Sequence, residues 1–378
     1  MERSASARCV SQGGLKSAGR EGLEPGPMRW ADICIPPRCN LQLWQIICAA
    51  DFSWSIDASA RFNLEMNMSA FVSFPIKTYQ DYATKAFEKF APAAPDFTIE
   101  NAGALMWFTQ LAYEYGPDQV NKIKLMKDLW GFAAITPFES KQNHRYDTHG
   151  VVGERDKAVL LAFCGTDPFV FDTVLTDADA EPNEDGIHSG FAEAAAAPEV
   201  TKNVADAVAL SQKKNCPLLI AGHSLGAAIA SLVALEAVKD KDVAAVYTYG
   251  MPRTGGEKFK ARYDEPLGMK TYRLVNGPDV VPTVPPSSLG YLHVGRLLRC
   301  GTNTPFNADD LEGNTRSDDP PFEISVLDLV KHLLSTIKQA SPQGPPGLGW
   351  LFKSLPAGIR DHLQDQYLDA LGFNVEFH

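Results

Sequence analysis

A chain of 378 residues, 45% of them apolar, is long enough to bury a large core as one domain or two. A formal charge of −11 argues against a nucleic-acid partner and against electrostatic docking to anionic lipid, so any membrane or droplet contact has to be apolar. No apolar run is long enough to span a bilayer, and no repeat period appears.

Residues 1–65 mix Arg, Ser, Gly and Pro without periodicity, as in GLKSAGREGLEPGPMRW. They are expected to form an appended or poorly ordered N-terminal extension, with the folded domain over 66–378. The apolar piece Leu41 to Ala50 resembles a signal-peptide core but sits far from Met1. Seven cysteines is an odd count, which leaves at least one thiol free or paired between chains. No second Cys/His pair follows Cys34 and Cys39 at zinc spacing, so no metal site is expected.

Thr98 is placed to cap a helix running from Ala102 to Tyr115, which Gly116-Pro117 stops. A second helix is expected over Asp118 to Leu129. Short apolar runs then read as strands: Phe132 to Thr136, Val151-Val152 and Ala158 to Cys164. Ala192 to Gln212 reads as one helix. Pro217 to Ala221 is a buried strand, and Leu225 to Val238 the helix after it. Strands Val243 to Tyr249 and Thr271 to Val275 flank a helix over Gly256 to Tyr263, and Leu292 to Leu298 reads as a strand or hairpin. Amphipathic helices are expected over Ser325 to Gln339 and Ile359 to Leu371. Apolar strands alternating with helices predict an α/β fold with a mostly parallel central sheet flanked by helices.

Between strand and helix at 217–238 stands Gly222-His223-Ser224-Leu225-Gly226, a G-x-S-x-G turn. A serine on such a turn is lifted clear of the sheet, and glycine at both flanks lets strand and helix pack closely. The following helix aims its free N–H groups and positive dipole end at the same place. A serine hydroxyl needs a base, and the base needs an orienting carboxylate. In α/β-hydrolases acid and then histidine follow the serine in chain order. Asp279, in LVNGPDVVPTVPP just after a strand, is the favoured acid over Asp264. Among the histidines beyond 224, His362 follows a Pro/Gly-rich loop and is the favoured base. His332 stands second, in an i,i+4 pair with Asp328, and His293 has the setting of a structural residue. Oxyanion donors are expected at the Leu225 N–H and at Thr166, after the strand ending Phe163-Cys164-Gly165.

These residues resemble the class 3 lipase family, the fungal-type triacylglycerol lipases and their bacterial relatives. Ile187-His188-Ser189-Gly190-Phe191 resembles the family's H-x-G-F, Gly222 to Ala227 its G-H-S-L-G-A, and Tyr247 to Gly255 its Y-x-F-G-x-P-R-x-G. Asn276 to Pro286 resembles its N-x-x-D-x-V-P-x-x-P-P, Tyr291 to Gly295 the hairpin after it, and Asp361-His362 with Tyr367 its D-H…Y. The resemblance spans roughly 98 to 371. It implies an α/β-hydrolase fold, a triad of Ser224, Asp279 and His362, and a structural His293. It also implies a helical lid over Asp167 to about Ala180, apolar at Phe169, Val170, Phe171, Val174 and Leu175. Two departures stand out. Cys164 replaces the arginine of the family's F-R-G-T, and the insertion Gly301 to Pro321 is long.

The expected activity is carboxylic ester hydrolysis, of triacylglycerols at a lipid–water interface, with no cofactor and no metal. Phospholipase A1, feruloyl esterase or general carboxylesterase activity is the alternative within the family. A catalytically silent binding protein of the same fold is the alternative from another class, and a peptidase fits the triad but not the lid. The resemblance favours a secreted location, and a cytoplasmic one stays open.

Overall fold

The computed structural model describes residues 82–114, 117–141, 147–165, 182–311 and 357–375, all within one compact unit, Arg61–His378. The expected extension 1–65, Thr166, the apolar stretch 167–180, the helix 325–339 with His332, and the insertion past residue 311 lie outside the described residues.

Three strands open the sheet: β1 (Phe132–Ser140), β2 (Thr148–Arg155) and β3 (Ala158–Phe163). They run antiparallel, with β1 at the edge, where Pro137 costs no ladder bond on a paired side. Four more strands join parallel to β3: β4 (Leu218–His223), β5 (Val243–Tyr249), β7 (Thr271–Val275) and β9 (Arg296–Arg299). The strand order is β1-β2-β3-β4-β5-β7-β9. Parallel neighbours need crossovers, and helices supply the first three. These are α3 (Ser189–Ala195) with α4 (Pro198–Lys214), then α5 (Leu225–Ala237), then α6 (Glu257–Leu267).

Central strands β3 and β4 are buried at every position, as a sheet covered on both faces requires. Their side chains alternate between two cores. Leu160, Ala162, Leu219 and Ala221 face one that includes Leu105 and Phe108 of α1 (Ile99–Gln110). Val159, Leu161, Leu218 and Ile220 face the other, with Val200 of α4 and Ile229 of α5. Helix α5 is apolar all round, LGAAIASLVALEA, because it lies against both the sheet and its neighbouring helices.

Several expectations shift in detail. Thr98 does cap α1, accepting from the Asn101 N–H at 3.2 Å, but the helix ends at Gln110 and tightens into a 3₁₀ turn, Leu111–Tyr113. Pro117 begins α2 (Pro117–Leu129) rather than stopping α1. The single helix expected over 192–212 is two, because Pro198 lacks an N–H and fits only the first turn of a new helix. Of the strand or hairpin expected over 292–298, a strand forms, shifted to 296–299. Short β8 (Tyr291–Leu292) pairs with β6 (Gly255–Gly256), Gly295 turns the chain at φ +74°, and β9 joins the main sheet. The last expected helix is broken into α7 (Ala357–Arg360) and α8 (Gln364–Ala370), which leaves His362 in the turn between them. The result is a mostly parallel sheet with helices on both faces, the α/β-hydrolase architecture.

Candidate active site

Ser224 sits between β4 and α5 with φ 59° and ψ −131°, a conformation that a non-glycine residue takes only under constraint. The constraint is visible on both sides. The Ser224 N–H donates to the Tyr249 carbonyl at 2.9 Å, and the Ser224 carbonyl accepts from the Ala227 N–H at 2.9 Å. The flanking glycines permit the turn. A Cβ on Gly222 would stand 2.2 Å from the Gly226 carbonyl oxygen, and one on Gly226 would stand 2.3 Å from that of Cys164. Leu225 opens α5, where the first N–H groups have no carbonyl of their own helix to pair with. Ser224 itself is 6% exposed, sunk in the floor of the site.

The acid comes from the loop after β7. Asp279 is 1% exposed, and three donors hold its carboxylate. Oδ1 accepts from the Val281 N–H at 2.9 Å. Oδ2 accepts from His362 Nδ1 at 2.9 Å and from the Tyr367 hydroxyl at 2.6 Å. Burial, then the nearby Asp279 charge, push the Tyr367 phenol well above its ordinary range, so it keeps the proton it donates. The Asn276 N–H donates in turn to the Tyr367 oxygen at 3.2 Å. Gly250, at φ +58°, backs this pair: a Cβ there would fall 2.7 Å from Asp279 Oδ2 and 2.7 Å from His362 Nδ1.

The His362 ring lies beside the elbow, its centroid 4.7 Å from that of His223. The His362 backbone carbonyl accepts from His223 Nε2 at 2.8 Å. No hydrogen bond between the Ser224 hydroxyl and the His362 ring is found among the described residues; such bonds commonly tighten only when substrate arrives. Asp279 and His362 are thus brought together, and next to the serine turn. The rival residues are occupied elsewhere. Asp264 accepts from Lys260 Nζ at 2.6 Å and from the Gly295 N–H at 3.0 Å. Half-buried His293 bonds the Pro282 carbonyl at 2.8 Å, its pKa pushed well below the ordinary value by desolvation of the ring and by Arg273 and Arg253.

Three participants escaped sequence reasoning. Tyr113 bonds His223 Nδ1 at 2.6 Å and accepts from the Gly165 N–H at 2.7 Å, yet it is 110 residues from His223 and carries no motif. His223 stands inside the G-x-S-x-G turn, where the pattern marks only the serine and the glycines. Gly250 lay inside a recognised motif, with its contact to the acid–base pair unmarked. Cys164, Cys216 and Cys300 are buried and form no disulfide among the described residues, which include no group of side chains arranged to hold a metal ion.

A family profile described as Lipase (class 3) matches residues 169–289. A lipase of Rhizomucor miehei is 31% identical over 205 residues, which cover 50% of this chain and 55% of that protein. Secreted mono- and diacylglycerol lipase 1 of Fusarium solani is 38% identical over 110 residues, 29% of this chain and 32% of that one. Among solved structures, the triacylglyceride lipase of Rhizomucor miehei aligns with a TM-score of 0.47 at 24% identity, covering 59% of this chain and 90% of that one. The chain therefore spans about half the length of the Rhizomucor relative it matches, and less of the Fusarium one. The matched segment contains the serine turn and the Asp279 loop, and over it the chain is similar to the class 3 lipases.

Proposed function

We propose that this protein is a serine hydrolase that cleaves carboxylic esters, with acylglycerols at a lipid–water interface as its substrates. The observation that carries the reading is the Asp279–His362 hydrogen bond of 2.9 Å beside a serine on a strained strand-to-helix turn. Asp279 bonds His362 at Nδ1, which directs the Nε2 lone pair toward substrate and stabilises the imidazolium that forms. Ser224 Oγ attacks the ester carbonyl carbon and passes its proton to His362. The tetrahedral oxyanion is met by the Leu225 N–H at the start of α5 and, from the sequence, by Thr166. Collapse breaks the ester bond, His362 returns the proton to the leaving alcohol, and water repeats the sequence on the acyl-enzyme.

The names of the relatives support acylglycerols as the substrate class, and the Fusarium relative's name supports a secreted location. No helix among the described residues is long and apolar enough to cross a membrane. Ser224→Ala is expected to lower kcat by about 10⁶-fold; a fall of less than tenfold would discard the mechanism. Rates on emulsified triolein, diolein, micellar phospholipid and methyl ferulate identify the substrate, with the acylglycerols expected fastest. A rate that jumps as triolein passes its solubility limit supports action at an interface, and smooth saturation contradicts it.

A further inference from the structure

His223 lies between Gly222 and Ser224 and is 2% exposed, and both of its ring nitrogens are occupied. The partner of Nε2 is the His362 carbonyl, which can only accept, so Nε2 carries hydrogen. Burial, with His362 alongside, holds the ring far below its ordinary pKa, so it carries one proton and Nδ1 is bare. Tyr113, the other partner, must then donate its hydroxyl to Nδ1 at 2.6 Å. Burial keeps that phenol protonated. Its oxygen is left free to accept the Gly165 N–H at 2.7 Å. Every bond in this chain has one possible direction: Gly165 N–H to Tyr113, Tyr113 to His223, His223 to the His362 carbonyl.

The chain joins three segments that the proposed reaction needs in register. Gly165 lies two residues past the end of β3 beside the nucleophile, so close that a Cβ on it would lie 2.7 Å from the Ser224 Cβ and 3.2 Å from Oγ. His223 is part of the elbow. His362 is gripped at Nδ1 by Asp279, a bond that orients the ring but does not tie the turn carrying it to the elbow. The second grip, on the main-chain oxygen of His362, is what ties that turn to the residue next to Ser224.

Building on the hydrolase reading above, we infer that Tyr113 and His223 are positioning residues, which set the separation of Ser224 and His362 through a one-way hydrogen-bond chain. Two measurements on the full-length protein test this. In ¹⁵N–¹H spectra of histidine-labelled protein, His223 is expected as the neutral Nε2–H tautomer, with the Nδ1 resonance displaced in Tyr113→Phe. In kinetics, Tyr113→Phe and His223→Asn are expected to lower kcat about 10- to 100-fold with KM nearly unchanged, since a displacement of about an ångström has that cost. His223→Gln, which keeps a donor near the His362 carbonyl, should lose less. The double variant Tyr113→Phe, His223→Gln should fall no further than the worse single one, because both cut the same link. An Nδ1–H tautomer, or an unchanged kcat in Tyr113→Phe with only a lower Tm, would overturn the inference. If the wild-type serine does not react with a fluorophosphonate, the hydrolase reading itself fails. Labelling with the tautomer reversed would leave that reading standing and remove only this one.

Discussion

A methyl group on Gly250 has no place to go. It would press on Asp279 Oδ2 and His362 Nδ1 at once, each 2.7 Å away, from a backbone at φ +58° that an L side chain rarely adopts. Gly250→Ala therefore acts on the acid–base pair twice, by overlap and by backbone strain. Strain alone costs about 1–2 kcal/mol of stability, which a folded domain of this size survives. Overlap is the larger effect on rate, because it parts a hydrogen bond on which the base's orientation depends. The variant is expected to stay folded by circular dichroism and to lose about 100-fold in kcat. Full activity with a lowered Tm would mean that the loop after β5 yields and the pair does not.

Elements record how far the sequence could be read. Strands β3 and β4 are legible as short apolar runs because a strand covered on both faces has few polar positions to disguise it. The proposed triad of Ser224, Asp279 and His362 can be picked out because the chemistry fixes the residue types and their chain order. Tyr113 is not, since its role exists only where a 3₁₀ turn meets the elbow 110 residues later. The break between α3 and α4 was signalled by Pro198, yet apolar periodicity across it reads as a single helix. Glycine at 226 is the clearest case in which the element makes the demand. Alanine there would gain about 1 kcal/mol in helix propensity, but its Cβ would stand 2.3 Å from the Cys164 carbonyl oxygen and 2.5 Å from that of Phe163. Those are backbone atoms of β3 and its end, and they cannot swing aside as a side chain does. Overpacking against them outweighs propensity, so Gly226→Ala is expected to lower Tm and the denaturation midpoint. A raised Tm would show that α5 can retreat from the sheet.

At the scale of the whole molecule, stability and pH are coupled through Asp365. It is 1% exposed on α8, and burial pushes its carboxyl up to about 7 despite hydrogen bonds from Gln366, with Asp369 adding to the rise. In the unfolded chain the same group titrates at about 3.9. Between those values the unfolded chain has released the proton and the folded chain still holds it, so stability falls as pH rises through the window. The loss is absent below about pH 4 and complete above the folded value of about 7, where it amounts to something on the order of 4 kcal/mol. Asp365→Asn removes the titration and keeps the shape. Its Tm is expected to match the wild type near pH 4 and to exceed it by a margin that grows up to pH 8. Calorimetry on both proteins across that range isolates Asp365 from every other group, because the others titrate alike in the two. A margin independent of pH would mean that Asp365 is already ionised in the folded state. The same helix carries Tyr367, whose hydroxyl holds Asp279 at 2.6 Å. Loosening α8 therefore reaches the acid–base pair, and thermal inactivation of the wild type should accelerate from pH 5 to pH 8 more steeply than that of Asp365→Asn.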